Sequence, residues 1–204
     1  MKELSRPWAV PMLGTLLLIA GLVAPWLVAL DFAGYSHVRD YISELGAQGS
    51  PTQSQIVVVG FLPTAVLASI LLWLLRTRVP RSPKSSLALL LLAAVPLAYL
   101  TAIFFPCDEG CPALGTTSQS IHNAFGLIEY VGAALGLFLL AKRADGNATP
   151  RWDWATLGAG VCVVAGVVLM GAPELADYRG GSQRLAECAI LGWMFLMSLR
   201  PPVR

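Results

Sequence analysis

Four groups of residues in this 204-residue chain are of types and spacings that do chemistry. Cys107 and Cys111 flank Asp108, Glu109 and Gly110. In an oxidising compartment so close a pair forms a small-loop disulfide. Free thiols and zinc ligation are the alternatives, although two thiols and one nearby histidine make a poor tetrahedral set. His122 and Glu129 are about two helical turns apart and project from one face, separated by about 10 Å along the axis. Arg184 and Glu187 are one turn apart and can pair; alternatively Glu187 meets His122 or Glu129 from another helix. Ser43 and Glu44 belong to a polar turn, Tyr-Ile-Ser-Glu-Leu-Gly over 41–46, which could lie as a lid over the mouth of a helix bundle. Cys162 and Cys188 read as ordinary small apolar residues.

The elements that must position these groups are six apolar stretches, about 8–30, 56–75, 86–105, 119–141, 155–172 and 184–199. Each is close to the roughly 20 residues of helix that cross a hydrocarbon core about 30 Å thick. The chain is 56% hydrophobic and 13% charged, against about 25% charged in a soluble domain. The expected fold is all-α: an integral membrane six-helix bundle forming a single transmembrane domain over 1–204. The first stretch exceeds the apolar region of a signal peptide and is expected to be retained. With a net charge of +2 and its basic residues in membrane-flanking loops, the chain presents no nucleic-acid surface.

The basic residues set an orientation. With the N-terminus inside, the cytoplasmic segments hold eleven: Lys2, Arg6, Arg76, Arg78, Arg81, Lys84, Lys142, Arg143, Arg151, Arg200 and Arg204. The opposite side holds three, Arg39, Arg179 and Arg184. Both termini are therefore expected in the cytoplasm. Trp8, Trp26, Trp73, Trp152 and Trp154 fall near the predicted helix ends, where interfacial anchors belong. The Asn147-Ala148-Thr149 triplet matches a glycosylation acceptor, but on the cytoplasmic side it would not meet the machinery.

The exoplasmic segments are longer than turns require and together hold seven acids: Asp31, Asp40, Glu44, Asp108, Glu109, Glu174 and Asp177. Long loops of this kind are often functional. Within the spans, Glu129 is costly in lipid and by default faces the bundle interior with a partner, where it either fixes packing or serves a function. Gly158, Gly160, Gly166 and Gly171 permit close helix approach. The candidate pocket comprises Ser43, Glu44, Asp108, His122, Glu129, Arg184 and Glu187. No metal or cofactor is expected. His37 and His122 are the only two histidines, and His37 falls in a loop, which argues against a bis-histidine haem.

The segments DYISELGAQGSP, FFPCDEGCP, SQSIHNAFGLIEY and GGSQRLAE, in this order along nearly the whole chain, resemble the bacterial six-span membrane family catalogued as domain of unknown function 998. More distantly, the ISELG element with its following proline, the histidine of the fourth stretch and the glutamate of the sixth are similar to the DRAM and FGF-receptor-activating-protein families. That likeness matches Ser43, Glu44, Gly46, His122 and Glu187; the cysteine pair is not part of it. The resemblance implies a multi-pass protein of a bacterial inner membrane with membrane lipids as partners, and it implies no reaction. Three functions compete: a lipid-handling protein with an exoplasmic pocket, a transporter using Glu129 and Glu187 as a proton or cation path, and a structural subunit.

Overall fold

A computed structural model describes residues 8–143 and 151–203. Lys2, Arg6, Arg204 and the Asn147-Ala148-Thr149 triplet lie outside the described residues, as do the side chains of Arg143, Arg151 and Trp152. The described chain is helical apart from loops and one two-residue antiparallel pairing, β1 (Lys142–Arg143) with β2 (Arg151–Trp152). Its long helices are α1 (Ala9–Asp31), α2 (Gln53–Leu75), α3 (Pro83–Phe104), α4 (Thr117–Ala141), α5 (Trp154–Gly171) and α6 (Arg179–Ser198). The first five are long and apolar enough to cross a membrane. Helix α6 is equally long but carries Arg179, Arg184 and Glu187, so its hydropathy is lower. It also begins well before position 184, because its polar first turn packs against loop backbone and hides from an apolar pattern. These apolar helices mark a multi-pass membrane protein.

The first three helices are each interrupted a few residues before a proline. Helix α1 widens to π geometry over Ile19–Val23 ahead of Pro25, and α2 does so over Val57–Phe61 ahead of Pro63. Helix α3 breaks at Ala93, ahead of Pro96. Proline lacks the N–H that its i−4 carbonyl needs, and its ring crowds that carbonyl, so the helix must widen or bend there. The two π segments pack on each other.

Helix α6 packs along α5, α1 and α2, while α4 lies between α3 and α5. Leu17, Leu71, Leu92, Leu137, Ile190 and Met194 fill the interior. Small residues set the helix separations: Gly132 and Gly136 of α4 lie against the Leu91 and Ala88 carbonyls, and Gly166 of α5 lies against Ser182 and Ala186. Gly158 and Gly171 face open space, so helix approach does not account for them.

The two ends of the bundle differ. At the basic end Val203 N–H donates to Thr77 O (2.8 Å), Lys84 Nζ to Lys142 O (3.0 Å), and Arg200 pairs with Asp153. At the cysteine end the long α1–α2 loop folds over the helix tops. Its 3-10 turn, Ile42–Gly46, is tied to α6 by Ile42 N–H to Gln183 Oε1 (2.6 Å) and followed by Gln48 N–H to Cys107 O (2.8 Å). Gly180 makes the closest contact of this loop with α6: a Cβ there would overlap the Asp40 backbone, and the next residue, Gly181, donates its N–H to Val38 O at 2.8 Å. Backbone cannot yield as a side chain does. Gly180→Ala should therefore destabilise by about 1–3 kcal/mol in thermal unfolding, whereas Gly158→Ala should be silent or slightly stabilising.

Candidate functional site

Three helices meet at one carboxylate. Glu187, on the third turn of α6, is 3% exposed. Its Oε2 accepts the Tyr99 hydroxyl of α3 (2.9 Å) and its Oε1 the Tyr130 hydroxyl of α4 (2.8 Å). Burying a carboxylate is tolerable only with such partners. Gln183, one turn earlier on the same face, accepts the Ile42 N–H and lines the same cavity as Tyr130 and Glu187. Polar side chains of α6 thus reach from the 3-10 turn to the buried carboxylate.

Glu129 precedes Tyr130 on α4 and is 6% exposed. Among the described residues its Oε1 has no hydrogen-bond partner. Glu129 and Glu187 line one cavity of about 70 Å³, with Ser43, Tyr99, His122 and Tyr130 among its walls. His122 Nδ1 is 3.1 Å from Phe105 O. A carbonyl only accepts, so Nδ1 carries the proton and Nε2 is left as an acceptor. The cavity shares Ser43, His122, Gly126, Tyr130 and Gln183 with a wider cleft of about 370 Å³. Its lining is mixed, polar at Tyr41, Asn123 and Arg179 and apolar at Leu127, Val167 and Met170.

Of the residues singled out in the sequence, Ser43, His122, Glu129 and Glu187 line this cavity. Glu44, Asp108 and Arg184 do not. Glu44 turns back to accept Tyr41 N–H (2.9 Å) and lies 3.5 Å from Arg179, whose guanidinium covers the Tyr41 ring. Asp108 accepts the Thr116 N–H and hydroxyl (2.8 and 2.7 Å) and fixes the loop before α4. The Arg184–Glu187 pairing open from the sequence is not the one formed. Arg184 Nη1 donates to the carbonyls of His37, Asp40 and Gly180, and Nη2 to the Tyr35 hydroxyl (2.6 Å) with His37 Nδ1 at 3.1 Å. Loop carbonyls crowd the top of α6 and take the guanidinium; Glu187, one turn deeper, takes the tyrosines.

Cys107 and Cys111 stand at disulfide distance, 1.99 Å between sulfurs. The pair is buried beneath the 3-10 turn, with Ser43 Oγ 3.3 Å from Cys111 Sγ. Gln119 and Asn123 on α4 hold the loop: Gln119 Oε1 accepts Asp108 N–H (2.7 Å), and both side-chain amides donate to Pro112 O. Tyr99, Tyr130, Gln183, Gln119 and Asn123 were not singled out in the sequence. The available signal was spacing: Gln183 and Glu187 are four apart on one face, and Tyr130 is a polar-tipped aromatic inside a span. Among the described residues no three His, Cys, Asp or Glu side chains cluster to hold a metal ion.

The loop around Arg184 is electrostatically tuned. Burial pushes the Tyr35 hydroxyl up to about 12. Burial and then Arg184 lower His37, which stacks on Trp26 at 3.7 Å. Burial alone would raise Asp40, but the Arg39 and Ser36 hydrogen bonds outweigh it and hold the carboxyl below its ordinary value. Burial raises Glu44. His37 and Asp40 bind protons more weakly folded than unfolded. Their stabilisation is present above 6.5 and 3.8 and is lost as the pH falls through the lowered folded values. Glu44 acts oppositely: its contribution is present below 4.5 and is lost as the pH rises through its raised folded value. Acidifying from about pH 7.5 to about 5.5 spans the histidine window. It should lower Tm, and the drop should shrink in His37→Gln, which still offers Arg184 an acceptor. Glu187→Gln should cost about 1–3 kcal/mol at neutral pH, because an amide can accept only one of the two tyrosine hydroxyls at a carbonyl oxygen and leaves a buried donor poorly partnered. Thermal unfolding in one detergent checks both.

Comparison with known proteins gives no match among curated proteins and none among solved structures. One family model matches residues 12–200, which takes in all six helices nearly end to end and every residue of the cavity. The chain therefore belongs to the family described as protein of unknown function DUF998.

Proposed function

We propose that the cavity and its cleft bind a membrane lipid, with the polar headgroup toward Glu129 and Glu187 and an acyl chain along Leu127, Val167 and Met170. The observation that carries this reading is the buried Glu129 Oε1, left without a partner among the described residues in a cavity that shares five lining residues with an amphipathic cleft. Buried polar atoms are normally satisfied, so an unpartnered acceptor lacks its donor. Two carboxyls with a neutral imidazole acceptor select a donor-rich or cationic headgroup. Arg179 at the cleft mouth supplies the complement for a phosphate. A lipid bearing both a primary amine and a phosphate fits that order of charges.

The reading rests on a topology that we also infer: six spans forming one unit, with both termini and the 76–84 hairpin cytoplasmic and the cavity near the outer face of a bacterial inner membrane. The basic end then faces the cytoplasm, as the positive-inside rule requires. On this reading the distant likeness to the DRAM and FGF-receptor-activating-protein pattern concerns Ser43, His122 and Glu187 of the cavity, with Glu44 and Gly46 in the turn above it.

A second reading draws on the same two carboxyls. Ionisable groups sharing a cavity within spans are the usual parts of a proton or cation path. Proteoliposomes carrying an internal pH dye separate the two: a Glu129-dependent flux supports transport, and its absence together with lipid retention supports binding.

Single cysteines at Pro80 and Asp177, in a background with Cys162 and Cys188 replaced by alanine, should label from opposite sides of the membrane. Labelling of both from one side overturns the topology. Native mass spectrometry of Arg76→Gln/Arg81→Gln, which leaves this cavity intact, should find phosphatidylethanolamine retained in preference to phosphatidylglycerol. Glu129→Gln should weaken that retention roughly ten- to hundredfold, the range of a lost charge-assisted hydrogen bond, with Tm little changed. Unchanged retention with an intact fold overturns the lipid-binding reading.

A further inference from the structure

At the opposite end of the bundle a second cavity, of about 800 Å³, opens between α2 and α3. Its cause is the break at Ala93. Helix α2 packs against the Ala94–Phe104 half of α3 but scarcely touches the Pro83–Leu92 half, which leans onto α4 instead. The wedge between the splayed halves is graded. At its rim stand Arg76 and Arg81 with Thr77, Ser82 and Ser86; toward the membrane interior it is lined by Leu72, Leu89 and Ala93. Among the described residues no acidic side chain lines it. Trp73, 52% exposed, and Leu90, 70% exposed, flank its open side, which in a membrane-spanning chain is the lipid side.

Each wall of this wedge is available to a ligand. The Arg76 guanidinium rests over the Trp73 ring at 5.3 Å, a contact made through its face that engages none of its N–H donors. The exposed Ser86 hydroxyl stands on the first turn of α3. Ser82 and Ser85 bond each other (2.9 Å), and Ser82 caps the helix, so these two shape the rim.

We infer that this wedge is a binding site for an anionic phospholipid of the leaflet at the basic end. The phosphate lies between Arg76 and Arg81 within reach of Ser86, and one acyl chain lies along Leu89 and Leu90. Charge complementarity selects the anion, and the apolar depth selects a lipid over a free phosphate. The site shares no residue with the cavity at Glu129, and neither proposal depends on the other.

The test uses the full-length protein in detergent, with native mass spectrometry against phosphatidylglycerol, phosphatidylcholine and inorganic phosphate. The wild type should retain phosphatidylglycerol over phosphatidylcholine. Arg76→Gln/Arg81→Gln should weaken retention roughly thirtyfold, as expected for two basic groups near an anionic surface, with Tm unchanged because both side chains are exposed. Ser86→Trp keeps both arginines and blocks the rim; it should weaken retention as well, which separates a built site from diffuse surface charge. Three results overturn the proposal: equal retention of both lipids, phosphatidylglycerol retention unaffected by Ser86→Trp, or displacement of the lipid by millimolar inorganic phosphate. Glu129→Gln should leave phosphatidylglycerol retention at this wedge unchanged.

Discussion

The arrangement of the cysteine end depends on one constraint: a carboxylate buried among helices must receive hydrogen bonds from its neighbours. Glu187 receives two, from tyrosines on two other helices. Each bond fixes a rotation and a depth, so α3, α4 and α6 cannot slide independently without leaving an unsatisfied group in a low-dielectric interior. Gln183 extends the constraint to the 3-10 turn, and Arg184 extends it to the loop that precedes that turn. Three residues within two turns of α6 thereby organise the cap and the cavity beneath it.

Glu129 stands outside that accounting. It occupies the same cavity as Glu187, yet among the described residues one of its oxygens has no partner, while Tyr99 and Tyr130 donate to Glu187. A carboxylate serving only packing would be expected to resemble Glu187. The contrast between two glutamates in one cavity, one saturated and one not, is the physical basis for reading the site as unfinished without a ligand. The disulfide-distance pair and the Asp108, Gln119 and Asn123 bonds hold the neighbouring loop in place, so the cleft lined by Cys111, Pro112 and Asn123 has a firm edge.

Much of this was legible in the sequence because lipid imposes simple rules. Span length and apolar composition placed α1 to α5 within a few residues, and the cost of an intramembrane carboxylate marked Glu129 and Glu187 for the interior. Less legible was which polar group meets which. Arg184 and Glu187 stand at a pairing distance on one helix, but loop carbonyls and tyrosines outcompete them for each other, and those partners lie 57 to 149 residues away in the chain. The start of α6 was hidden for a related reason: its first turn is polar because it contacts backbone. Likewise the wedge between α2 and α3 follows from a proline-linked break whose direction no local pattern encodes.

The proposed completion of the Glu129 cavity by a lipid is open to direct observation in an experimental structure in nanodiscs formed with the host membrane's own lipids. Elongated density is expected in the cleft beside Leu127, Val167 and Met170, ending in a polar group within hydrogen-bonding distance of Glu129 Oε1. A cavity holding only ordered water, with the cleft closed by its own side chains, would contradict it.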